Sequence, residues 1–151
     1  MITQPTQRST TTQSPDSRRP DMLAGLALAE TIVAFGEPVP WGIEVHQAGQ
    51  RIVVNVHLRD AGSVHAYQDR FGGVVHQQLH YDDGGRGVRL RTELATTVYD
   101  GEFVAWALSW LSEQELAAWF VGDHGDPADW SAETAVEYAK ALTLVRAGGV
   151  R

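Results

Sequence analysis

The sequence predicts an α+β domain: a five-stranded, mostly antiparallel sheet with helices packed on it, in the order α-ββ-α-βββ-αα. Three observations carry this. Apolar residues recur at helical spacing in four segments, they alternate with polar ones in strand-length runs, and glycine-bearing turn signals separate neighbouring strands. Strands gathered in runs, without a regular alternation with helices, indicate an antiparallel sheet.

Residues 1–20 contain Thr, Gln, Ser, Pro and Arg with almost nothing apolar after Ile2. Such a segment cannot bury enough surface to offset chain entropy, so a disordered tail is expected, with 21–151 as a single domain. A docking role through Arg18 and Arg19 is the alternative for that tail. The first helix is expected to be N-capped by Asp21, with Leu23, Leu26, Ala27, Glu30, Val33 and Ala34 as its inner stripe and Gly36, Pro38 and Pro40 ending it.

A hairpin follows. With Ala48-Gly49 as a two-residue turn, Gln47 faces Gln50, Val45 faces Ile52, Ile43 faces Val54 and His46 faces Arg51, which gathers the apolar partners on one face. The second helix runs from about Asp60 to Phe71, capped by Asp60 or Ser63, with Val64, Tyr67, Gln68 and Phe71 inward and Gly72-Gly73 as the stop. Val74 to Tyr81 is the third strand, and Asp82 to Gly85 turns into the fourth. There Val88, Leu90, Leu94 and Val98 share one face, and Arg89, Arg91 and Glu93 the other.

Asp100-Gly101 is the next tight-turn signal, pairing Val98 with Phe103 and Trp106 with Ala95. The fifth strand, Phe103 to about Trp110, is apolar on both faces. It is therefore expected near the sheet centre or under a helix, with both sides covered, one by the domain's own helices and the other by a second subunit. Ser112 to Glu115 fits a capping box opening a short helix with Leu116, Trp119 and Phe120. A loop from Gly122 to Asp129 precedes a last helix, begun by Ser131, whose inner face takes Ala135, Val136, Ala139, Leu142 and Val145.

The order of elements resembles that of the roadblock and longin modules, small domains that commonly dimerise and regulate or bind small GTPases. The resemblance lies in element order alone and implies a protein-binding role. The composition, arginine-rich with a single lysine, is also similar to that of small proteins from GC-rich actinobacteria.

Composition narrows the function classes. The 151 residues carry a net charge of −7 with no cysteine, which excludes disulfides, cysteine zinc sites and thiol catalysis. Residues 100–151 hold nine acidic against three basic side chains, which argues against sequence-independent nucleic-acid binding by the folded part. No apolar run approaches the ~20 residues of a membrane span, and the polar N-terminus lacks the apolar centre of a secretory signal, so a cytoplasmic protein is expected.

The chemistry-bearing clusters are sparse. His76 and His80 share a strand face but stand ~13 Å apart, too far for one metal unless another strand supplies a ligand such as Asp82. His65 and Asp69 form an i, i+4 pair that reads as a surface hydrogen bond. The Asp123–Asp129 segment lacks the alternate spacing and late glutamate of a calcium loop. Gly84-Gly85-Arg86-Gly87 joins two strands and is not followed by a helix, so it is no phosphate cradle. No cofactor is expected. Trp106, Trp110, Trp119, Phe120 and Trp130 fall within 25 residues and are the candidates for an interface, since such aromatics anchor protein contacts. The expected function is a non-enzymatic binding or regulatory module acting through a protein partner or its own dimer. The alternative is a small-molecule- or metal-binding protein, or an enzyme, using sheet-face histidines.

Overall fold

The computed structural model describes residues 19–82, 84–98 and 101–148. The expected tail falls on residues 1–18, outside the described residues, and on Arg19 and Pro20, which already belong to a helix. The elements follow in the order α1 (Arg19–Phe35), β1 (Gly42–Ala48), β2 (Arg51–His57), α2 (Ala61–Phe71), β3 (Val74–Tyr81), β4 (Val88–Val98), β5 (Gly101–Trp110), α3 (Glu113–His124), a 3-10 turn (Pro127–Asp129) and α4 (Ala132–Ala147). The strands form one five-stranded sheet in the order β1-β2-β5-β4-β3. Every neighbouring pair is antiparallel except β2 and β5, which run parallel. The α+β class and the sequence of elements are those the residues predict, and β5, apolar on both sides, occupies the centre.

The first turn lies one residue from its expected place, and the pairing of β4 with β5 is displaced from the expected register by the same amount. In the first hairpin Ala48 pairs with Arg51, Gln47 with Ile52, Val45 with Val54, Ile43 with Val56 and His46 with Val53, so the turn is Gly49-Gln50. Gly49 takes a φ of 64° at the first central position, a conformation that costs glycine nothing and Ala48 a steric clash. The shift is an even one, so Ile43, Val45, Val54 and Val56 still share a face. Between β4 and β5, Val98 pairs with Gly101 and Thr96 with Phe103, which sets Trp106 opposite Glu93 and not Ala95. Here Gly101 serves packing. A Cβ on it would stand 2.5 Å from Leu28 Cδ2 of α1, so the glycine belongs in the strand beneath that helix.

Among the described residues, all four α-helices lie on one side of the sheet. The buried residues Leu28, Ala29 and Ile32 of α1, with Val64 and Tyr67 of α2, form one core cluster with Val54, Val56, Leu94, Phe103, Ala105 and Ala107. Leu116 and Phe120 of α3 and Ala141 of α4 form a second cluster on Val88, with Leu79 packed against it. Val88 and Leu94 are six residues apart on β4, and the ladders on both sides of β4 keep an unbroken one-to-one register. They therefore point to the same side.

Local chemistry fixes the helix ends. Asp60 caps α2 by accepting from the Ser63 amide (2.8 Å) and hydroxyl (2.8 Å), and these bonds, the amide first, hold its carboxyl below its ordinary pKa. Ser112 and Glu115 make the full capping box at α3. Glu113 receives Arg146 Nε at 2.9 Å, tying the start of α3 to the end of α4 and lowering the carboxyl's pKa.

Four expectations about helices need correction. Asp21 lies in the first turn of α1 and is not its cap. The buried stripe of α1 is Gly25, Leu28, Ala29 and Ile32, while Leu23, Leu26 and Val33 face outward. Gly25 decides this rotation, because a Cβ there would meet Ile52 Cγ2 at 2.5 Å and Val45 Cγ1 at 2.9 Å. In α4, Ala135, Val136 and Ala139 are exposed, and the face toward the core is Tyr138, Ala141, Leu142 and Val145. Tyr138 sets that rotation, its ring lying 5.2 Å from both Phe120 and Trp130. The helix opened by Ser112 also runs on to His124, so only Gly125 to Asp129 remain of the expected loop.

Candidate functional site

With every helix of the described residues on one side, no described element covers the other face of the sheet. Alternation along the strands places Glu44 and His46 of β1, Val53, Asn55 and His57 of β2, Val104, Trp106, Leu108 and Trp110 of β5, Arg89, Arg91 and Glu93 of β4, and His76, Gln78 and His80 of β3 there. Not one of them is fully buried. The apolar row of β5 forms the ridge of this face.

The ridge is built from stacked rings and cations. The Trp106 indole has the His57 imidazole at 4.4 Å on one side, edge to face, and the Arg91 guanidinium 4.9 Å from its centroid on the other. Arg91 is held there by Glu93, with Nη2 2.6 Å from Oε2. Beyond His57 comes Trp41, its ring 5.0 Å away and 63% exposed, anchored by its indole N–H donating to the Leu58 carbonyl at 3.2 Å. At the other end Arg89 lies 5.1 Å over Trp110, which is 42% exposed.

Two of these polar side chains are incompletely satisfied. Among the described residues, the buried side-chain nitrogens and oxygens without a hydrogen-bond partner are both ring nitrogens of His57 and Nε of Arg89. Glu44 Oε2 stands 3.5 Å from His57 Nε2 but outside hydrogen-bonding geometry. An unpaired buried donor costs about 1–3 kcal/mol.

The expected site residues separate into two groups. Trp106 and Trp110 lie on the open face. Phe120 is fully buried and leaves the interface candidates for the core; Trp119 and Trp130 are half-buried around it, the Trp130 N–H donating to the Gly125 carbonyl at 2.9 Å. His76 and His80 also lie on the open face, opposite Glu93 and Arg89 respectively, while Asp82 sits beyond the end of the strand. No group of three or more metal-ligating side chains occurs among the described residues. His65 meets Gln68 at 3.4 Å, not Asp69. Asp126 caps the 3-10 turn through the Ala128 amide.

Sequence reading did not find Trp41 and His57 as members of this site. Trp41 stands outside the strand pattern. The place of His57 depends on the parallel pairing of β2 with β5, which sets it beside Trp106 across 49 residues of chain. A second exposed apolar strip runs along α1 through Leu23, Leu26 and Val33. No helix among the described residues is long and apolar enough to cross a membrane. Comparison of the chain with family models, with curated proteins and with solved structures returns no match.

Proposed function

We propose that this chain is a protein-binding module whose contact surface is the open face of the sheet. One observation carries the reading: the central strand presents Val104, Trp106, Leu108 and Trp110 on a side that no helix among the described residues covers. Half-exposed tryptophans flanked by arginine match the composition of interface centres, where Trp, Tyr and Arg are enriched. A catalytic reading lacks a comparable observation, because His46, His76 and His80 stand singly beside Asn55, Glu93 and Arg89, and His57 is packed between Trp41 and Trp106 with Glu44 outside hydrogen-bonding geometry.

Photo-crosslinking from the open face tests this. A photoreactive residue at Leu108 should yield a discrete covalent adduct in cells, whereas one at Val136, 55% exposed on α4, should not. Absence of any adduct at Leu108, or equal yields at both positions, would end the reading. The adduct's mass reports whether the captured protein is this chain or another.

A further inference from the structure

We infer that the occupant of the open face is a second copy of this chain, docked face to face about a two-fold axis that passes beside Trp106. The inference rests on the reading of that face as a binding surface and adds the identity and geometry of the partner.

Size is the first argument. Strands of seven to eleven residues, at about 3.3 Å per residue and about 4.8 Å between neighbours, give a face of roughly 700 Å². A standard specific interface takes about 800 Å² from each partner. The face is of the size a stable dimer needs.

Charge is the second. The chain carries −7 overall, so two copies repel unless they meet on a neutral surface. The open face is such a surface, with Arg51, Arg89 and Arg91 set against Glu44, Glu93 and Glu102. Four of these six pair within the chain, Arg51 with Glu102 at 2.8 Å and Arg91 with Glu93 at 2.6 Å. Among the described residues Arg89 enters no ion pair, and Glu44 meets only the His57 Nε2, at 3.5 Å and outside hydrogen-bonding geometry. The Glu44 carboxylate is 64% exposed and Arg89 Nε lacks an acceptor.

The third argument is where those two residues stand. Glu44 lies on edge strand β1 at the level of Val104, and Arg89 on β4 at the level of Trp110. On an untwisted grid they are roughly 25 Å apart along a diagonal whose midpoint falls beside Trp106 and His57. In an isologous contact residue i meets j while j meets i. A two-fold axis lying in the face, perpendicular to that diagonal at its midpoint, brings Glu44 of each copy to Arg89 of the other. The same axis lays the two Trp106 ridges together at the centre, where anchor residues of an interface belong.

Sedimentation equilibrium of the full chain tests this, with thermal melting of each variant as the control for folding. Wild type should sediment at twice the 16.5 kDa chain mass. Leu108→Asp should give a folded monomer. Glu44→Arg and Arg89→Glu should each weaken the dimer about tenfold by placing like charges together, and the double variant E44R/R89E should restore it. If Arg89→Glu does not fold, Glu44→Arg alone still carries the prediction, since its side chain is exposed. A monomeric wild type at 100 μM (about a hundred times the Kd of a micromolar dimer), or a dimer dissolved by Leu26→Asp on α1 but not by Leu108→Asp, would overturn the inference. So would single charge reversals without effect, or a double reversal that does not recover. A monomer whose Leu108 crosslinks to a different protein would end this inference and leave the binding role standing.

Discussion

The two sides of β5 differ in surroundings far more than in composition. Phe103, Ala105 and Ala107 point under the helices and are buried, whereas Val104, Trp106, Leu108 and Trp110 on the reverse remain half-exposed or exposed. From their residues alone both sides are expected to be covered. The difference comes from the helices. Leu111 and Ser112 lead from the strand straight into the capping box, and α3 then packs on Val88 and Leu79, the side already held by α1 and α2. A strand apolar on both sides, with one side left uncovered by the described helices, is the observation on which the proposed binding role rests, since large exposed apolar patches are uncommon on monomers.

The largest expected effect separates those sides directly. Phe103→Ala removes a fully buried ring that meets Phe71 edge to face at 5.3 Å, and should cost about 3–5 kcal/mol. Trp106→Ala, measured in solution dilute enough to keep the chain monomeric, should cost less than about 2 kcal/mol because its ring is only partly withdrawn from water. Equal losses in chemical denaturation would mean that the reverse side is core in the monomer as well.

A pH titration sharpens the contrast from the covered side. Tyr67 is fully buried, its hydroxyl donating to the Pro38 carbonyl at 2.8 Å, and burial pushes its pKa up to about 12. An unfolded tyrosine ionises near pH 10, so between those values the unfolded state has released a proton that the folded state keeps. The stabilisation is therefore complete below pH 10 and is lost as pH rises toward 12, by about 2–3 kcal/mol. Tyr67→Phe should flatten that fall while lowering stability at pH 7 by about 1 kcal/mol for the lost hydrogen bond. An unchanged alkaline fall in the variant would show that Tyr67 is not its source.

Element types were legible because caps and stops are local. Asp60 before Ala61, Ser112 with Glu115, and Gly72 after Phe71 each act within a few residues. Registers and helix rotations were less so, because distant contacts decide them. Gly101 looks like a turn residue until Leu28 is seen lying on it, and the mostly apolar α1 offers several stripes until Ile52 and Val45 select the one with Gly25. The open face needed both the parallel β2–β5 pairing and the side on which α3 and α4 settle. Neither leaves a mark in the spacing of residues. Trp106 and Trp110 could be picked out as aromatics in a two-sided strand, but not their neighbours His57 and Trp41.

The smallest expected effect tests the comparison at its finest, between two adjacent residues of β2 given the same substitution. Val54 points under the helices and is fully buried, while Val53 points to the open face and is half-exposed. Threonine matches valine in shape and in preference for strands, so the exchange isolates one hydroxyl. At Val54 that hydroxyl enters a cluster of Val56, Phe103 and Ala105, and desolvating it without a partner should cost about 1–3 kcal/mol. At Val53 water can bond it, and the change should stay within about 0.5 kcal/mol in dilute solution. The two values should converge only if Val53 becomes covered. Repeating the Val53→Thr measurement at high concentration, where the proposed dimer would form, therefore reports whether its interface reaches this corner of the face. Equal costs in the monomer would show that the two faces of β2 are not divided as described.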